Sequence, residues 1–194
     1  MKAEKGCIVL AVLNIVIFLL MYVAGVAGDA GFMASHGAIF PPVMIEHGIW
    51  YPFFTAMFLH FDIEHLANNM VMLVAVGRYI ENEMGTFKLM IIYLCSGIIG
   101  NVLSFMGDLH GEINVVSAGA SGAVFGLVGS LLAMAIKNKG IIEGLGIRNI
   151  ILMIALSLVS GFTSAGVDNT AHVGGLIAGL LIGLVLYKAK ASDT

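Results

Sequence analysis

Ser121, His172, His65 and Asn69 are polar side chains set at the starts of apolar runs, and together they hold the parts needed for acyl transfer. A serine hydroxyl is a weak nucleophile until a neighbouring base takes its proton, and imidazole, with an ordinary pKa of about 6.5, is the usual base for that task. Ser121 sits in Gly119-Ala120-Ser121-Gly122, and His172 follows Asn169 by three residues. Attack on an amide builds negative charge on the carbonyl oxygen, which needs donors already in place. Asn69 offers its side-chain amide, His65 a ring nitrogen, and Ser121 its own backbone N–H at the positive end of a helix. The only carboxylate near His172 in sequence is Asp168, so a Ser121 and His172 dyad is the simpler expectation and a third member is not assigned.

These residues need a scaffold, and the composition says where it sits. Of 194 residues, 59% are hydrophobic and 11% charged, far below the charged quarter of a soluble domain. The expectation is an all-α membrane protein folded as one bundle over 1–194. Runs able to span about 30 Å of hydrocarbon as helix fall at 7–27, 65–80, 87–106, 121–136, 147–162 and 171–187, the second and fourth being the shortest. His65 and Asn69 open the second span at i, i+4 on one face, Ser121 opens the fourth and His172 the sixth. Gly122, Gly126 and Ser130 on the fourth helix and Gly175, Gly179 and Gly183 on the sixth let two backbones approach closely.

All nine Lys and Arg (Lys2, Lys5, Arg78, Lys88, Lys137, Lys139, Arg148, Lys188 and Lys190) fall on one side of this arrangement. By the positive-inside rule that side is cytoplasmic, so both termini are expected inside. The second, fourth and sixth helices then all run from outside to inside, and their polar starts lie at similar depth near the outer surface. Seven of the twelve acids lie on that outer side: Asp29, Glu46, Asp62, Glu64, Asp108, Glu112 and Asp168. A cleaved signal peptide is the alternative reading of the first span, but its hydrophobic run exceeds the usual 7–15 residues. The connection 28–64 is long and apolar, with Trp50, Tyr51, Phe53 and Phe54 suited to the membrane interface.

Each fragment has a plainer reading when taken alone. Gly-x-Ser-Gly occurs in many glycine-rich helices, and Gly-x-x-x-Gly serves helix packing. His65 and Asn69 can hydrogen-bond each other or cap their helix. His60 and His65 are five residues apart and do not share a helix face, and no Cys, Asp or Glu completes a set, so no metal is expected. Cys7 and Cys95 lie in apolar stretches and read as small hydrophobes. The net charge of −3 without a basic cluster argues against a nucleic-acid partner, and no cofactor is implied.

The joint pattern resembles the rhomboid family of intramembrane serine proteases. The resemblance rests on His65-x-x-x-Asn69, on Gly119-Ala120-Ser121-Gly122, and on His172 with Gly175 and Gly179. Gly77, Glu81 and Gly85 are similar to the family's Gly-x-x-x-Glu-x-x-x-Gly feature. It implies a six-transmembrane-helix bundle with a Ser121 and His172 dyad, and an oxyanion site formed by His65, Asn69 and the Ser121 N–H. Phe125 stands where the family stacks an aromatic ring on the catalytic histidine, and His60 matches a further histidine near the site. Gly119, Gly122 and Asn169 are read as supporting residues. One departure is visible: the family often carries Trp-Arg in its first outer loop, whereas this chain reads Trp50-Tyr51-Pro52.

The function implied is endoproteolysis of transmembrane segments of other membrane proteins, with the lipid bilayer as surroundings and a prokaryotic plasma membrane as location. Substrate helices must unwind to be cut, because an intact helix ties up its amides in hydrogen bonds. By the resemblance, small residues would permit this. Two rivals belong to other classes: a catalytically silent rhomboid-like protein that binds membrane clients, and a small transporter or channel, for which paired intramembrane charges or inverted repeats would be expected. No oligomeric state follows from the sequence.

Overall fold

A computed structural model describes residues 5–111, 115–164 and 166–189. Lys2, Glu112 and Lys190, which enter the charge reading above, lie outside the described residues. The chain opens with helix α1 (Lys5–Val23), then passes through three short helices, α2 (Ala30–Ser35), α3 (Pro41–His47) and α4 (Pro52–Thr55). Five longer helices follow: α5 (Ile63–Met84), α6 (Thr86–Gly111), α7 (Ser121–Lys137), α8 (Ile147–Thr163) and α9 (Asn169–Leu186). Between α7 and α8 a small antiparallel hairpin pairs β1 (Ile141–Ile142) with β2 (Leu145–Gly146). Its turn uses Glu143 and Gly144 at φ of 45° and 82°, the positive values that a tight hairpin demands.

The chain is a mostly helical integral membrane protein. Helices α1, α6 and α9 are each long and apolar enough to cross a membrane, while α7 and α8 are shorter apolar helices of 17 residues. The second helix departs from the sequence expectation of a short span over 65–80, because α5 runs for 22 residues. Its polar ends read as loop by hydropathy but are satisfied within the fold. Asp62 caps the start, its carboxylate accepting from the His65 N–H at 2.7 Å.

At the other end of α5, the buried Glu81 carboxylate accepts from the Gly6 and Cys7 N–H groups at 2.7 and 3.0 Å and from the Thr86 hydroxyl at 2.6 Å. It thereby serves donors in the first turn of α1 that no helix can satisfy internally. Gly77, one turn earlier, leaves room for the Cys7 sulfur, which would stand 2.8 Å from an added Cβ. Around these anchors Leu10, Leu73, Ile80, Ile92, Leu127 and Leu131 join one apolar core shared by α1, α5, α6 and α7.

The closest backbone approach lies between α7 and α9. A Cβ on Gly175 would collide with the Gly122 carbonyl, and one on Gly179 with the Gly126 carbonyl. From α6, Gly100 faces the Ala171 carbonyl, 2.8 Å from where its Cβ would be. The far end of α9 is held by two ammonium groups. Lys88 donates to the Leu186 carbonyl at 2.9 Å, and Lys137 donates to the carbonyls of Leu184 and of Tyr187, the latter at 2.8 Å. These bonds occupy carbonyls that the helix end leaves orphaned.

Candidate active site

The segment leading into α7 is held extended by the first connection. Ser117 and Ile39 exchange backbone hydrogen bonds of 2.8 and 2.9 Å, and the Gly119 N–H donates to the Ala56 carbonyl at 2.9 Å. The next amide, Ala120 N–H, donates to Nε2 of the fully buried His60 at 3.4 Å. His60 is therefore a neutral acceptor here. Burial pushes its pKa down to about 3, helped by the neighbouring His65 and opposed by the Phe58 carbonyl and Asp62.

Gly119 adopts φ +144°, and any Cβ there would lie 2.7 Å from Nε2 of His65. Both the backbone angle and the space call for glycine. The result is an imidazole lying directly against the turn that delivers Ser121 as the first residue of α7. His65 also meets the His60 ring edge to face at 5.0 Å and lies nearly parallel to Phe61 at 6.5 Å. One turn along α5, Asn69 donates one amide hydrogen to the His65 carbonyl at 2.9 Å, leaving its second for another acceptor. The pair thus shares a local bond without using up its donors.

His172 opens α9 with 7% of its surface exposed and stacks on Phe125 of α7, ring centroids 4.4 Å apart and planes 17° from parallel. Its Nδ1 is buried without a partner. Among the described residues no carboxylate holds that nitrogen, and Asp168 directs its oxygens to Ala171, Ser104 and Ser117 instead.

A cavity of about 740 Å³ joins these parts. Ser121, His172, His65, Asn69, Gly119, Gly122 and Phe125 all line it, so the starts of α5, α7 and α9 meet around one space. The rest of its wall includes Ile154, Ser157, Ser160 and Gly161 of α8, Asn101 of α6, and Ser117 and Asp168 just ahead of α7 and α9. His60 lies outside the lining and acts through Ala120. Asn169 also lies apart: its Oδ1 is buried against Gly161, and the residue lines a separate apolar groove with Leu103 and Phe162.

Asn101 is a cavity residue that the sequence reading passed over. It lies within α6 and donates to the Phe53 carbonyl at 3.0 Å, while Phe53, Trp50 and Phe105 pack as an aromatic cluster with centroids 5.4 to 6.0 Å apart. These contacts anchor the first connection to α6 in a chain where Tyr51, not arginine, directly follows Trp50. A polar amide inside an apolar run is the signal that marks it.

Comparison with known proteins agrees with this architecture. The family model described as Rhomboid domain matches residues 47–189. Rhomboid protease GluP of Bacillus subtilis (strain 168) is 36% identical over 180 residues, covering 92% of this chain and 34% of that protein. RHOMBOID-like protein 5 of Arabidopsis thaliana is 39% identical over 145 residues, 74% of this chain and 46% of its own length. RHOMBOID-like protein 4 from the same plant is 40% identical over 130 residues, 66% of this chain and 32% of its length. The chain therefore spans less than half the length of each of these relatives.

Proposed function

The chain belongs to the rhomboid family, and on that premise we propose that it is an intramembrane serine endopeptidase that cuts transmembrane segments of other membrane proteins. The observation that carries this reading is the meeting of Ser121 and the Phe125-stacked His172 at one cavity with His65 and Asn69. In this reading the Ser121 oxygen attacks the scissile carbonyl while His172 takes the hydroxyl proton. The oxyanion is received by the Ser121 N–H, the Asn69 amide and a His65 ring N–H, aided by the positive end of α7. Collapse breaks the C–N bond as His172 returns the proton to the leaving amine. A water activated by the same imidazole then hydrolyses the acyl-enzyme and restores Ser121.

The wider frame is part of the same proposal. Six helices (α1, α5, α6, α7, α8 and α9) span the bilayer within one domain, with Arg78, Lys88, Lys137, Lys139, Arg148 and Lys188 on the cytoplasmic side. The cavity then opens outward, where water reaches it, and the prokaryotic plasma membrane is the expected location. The apolar cluster of Trp50, Phe53 and Phe105 would seat the first connection at the interface.

The test is cleavage in proteoliposomes of a labelled single-span substrate carrying small residues near its outer boundary. Wild type should cut, and Ser121→Ala and His172→Ala should each lose at least three orders of magnitude in rate. Cleavage persisting in Ser121→Ala would end the serine mechanism. No cleavage by wild type across several substrates, with intact client binding, would favour the catalytically silent alternative.

A further inference from the structure

Asp168 makes more connections than a helix cap requires. Its Oδ1 accepts from the Ala171 N–H at 2.8 Å, the ordinary work of an N-cap. Its main-chain carbonyl accepts from the His172 N–H at 3.2 Å, the first hydrogen bond of α9. Its other carboxylate oxygen, Oδ2, accepts from two hydroxyls at once: Ser117 at 2.6 Å and Ser104, also at short range. Those two serines belong to different elements. Ser117 lies in the extended segment that runs through Gly119 to Ser121, and Ser104 lies on α6.

One carboxylate thus ties the start of the helix that carries His172 to the segment that delivers Ser121, and fixes both to α6. A second carboxylate, Asp108, lies one turn along α6 from Ser104. Bonds to an ionised acceptor are shorter and roughly twice as strong as neutral ones, which makes this link stiffer than a neutral cap. Because the carboxylate faces Ser104, Ser117 and the Ala171 amide, it does not serve as a third member on Nδ1 of His172.

We propose that Asp168 is a positioning residue: through Ser117 and the first turn of α9 it sets the distance and angle between the Ser121 hydroxyl and the His172 imidazole. The inference rests on the serine-protease reading above. A misplacement on the order of 1 Å between reacting groups costs up to about a hundredfold in rate, so loosening one of several restraints should cost on the order of tenfold.

The test compares wild type with Asp168→Asn, Ser117→Ala and Ser117→Thr in proteoliposomes, by substrate kinetics and by the rate at which a fluorophosphonate labels Ser121. Asp168→Asn keeps an oxygen for the Ala171 N–H but replaces the doubly accepting, charged oxygen with an amide nitrogen. Because the cap bond to Ala171 is retained, its thermal unfolding should stay close to wild type. Asp168→Asn and Ser117→Ala should each lower kcat on the order of tenfold, leave KM within about twofold, and slow labelling by the same factor. Ser117→Thr, which keeps the hydroxyl, should recover both rates, and the double variant Asp168→Asn/Ser117→Ala should be no slower than the slower single. Unchanged kcat and labelling, a shift in melting temperature alone, or losses that multiply in the double variant would overturn the inference. Absence of Ser121 labelling in wild type itself would instead remove the serine mechanism on which it stands.

Discussion

Helices α7 and α8 have the same length, 17 residues, and both are apolar, yet their surroundings differ sharply. Every residue of α7 from Gly122 through Leu131 is buried, with α9 pressed against its glycines. On α8 only Ile150 and Gly161 are buried, while Ile151, Leu152, Leu156, Val159 and Phe162 face outward. The difference teaches that hydrophobicity alone does not say what a helix is for. In α7 small residues trade side-chain volume for close backbone contact, which fixes Ser121 against the start of α9. In α8 large apolar residues face outward, and one polar edge, Ser157 and Ser160, borders the cavity.

The contrast breaks most severely if the tight seam is opened. Gly175→Leu places a side chain where the Gly122 carbonyl already stands, and overpacking of this kind should cost about 3 kcal/mol or more. The expected outcome is loss of folded protein in a detergent unfolding assay, with no cleavage.

A second variant sharpens the role of α8. Gly161→Cys combined with Asn169→Cys joins α8 to the start of α9, positions that already touch. If α8 is the wall that moves to admit a substrate helix, oxidation should reduce cleavage of a membrane substrate about tenfold or more, while a small fluorophosphonate still labels Ser121. Cleavage unchanged by the cross-link would make α8 a fixed wall.

His60 probes the loop that holds the start of α7. Its pKa is depressed from 6.5 to about 3, so the unfolded chain binds this proton more readily than the folded one. The stabilising contribution is complete above about pH 6.5 and is lost as pH falls toward 3. His60→Gln should flatten that acid limb in equilibrium unfolding. It should also destabilise by about 1–2 kcal/mol at neutral pH through the altered bond to Ala120. An acid limb as steep as that of wild type would remove His60 as its source.

The smallest effect is expected on the outer face of α8. Leu156→Ala should change stability by no more than about 0.5 kcal/mol, because its side chain is 62% exposed. A loss as large as that of Gly175→Leu would erase the contrast between the two helices.

Much of this fold was legible because long apolar runs of this kind form helices: α1, α7, α8 and α9 begin and end within a few residues of the apolar runs, while α6 continues to Gly111. Helix α5 was legible only in its middle. Its last turn contains Glu81, whose partners Gly6 and Cys7 are 75 and 74 residues away, and no local pattern announces them. At the cavity, Ser121, His172, His65 and Asn69 could be picked out as polar residues at the starts of apolar runs. Asp168 and Asn101 could not be given their partners in the same way. The carboxylate bonds Ser117 and Ser104 across 51 and 64 residues, and the amide bonds Phe53 across 48. Asn169, read as a supporting residue, has its Oδ1 buried against Gly161 on α8, a neighbour that its sequence position does not announce.

The two lysines at the far end of α9 have a mechanical consequence. A helix of 18 residues is a rod about 27 Å long, with the imidazole at one tip and Leu184, Leu186 and Tyr187 at the other. Lys88 comes from α6 and Lys137 from α7, so the rod is bolted at its base to the same two helices that frame its tip. Such a rod cannot slide along its axis or turn about it without drawing two ammonium groups off their carbonyls. The position of His172 is thereby set from the opposite end of α9, by contacts that never approach the cavity.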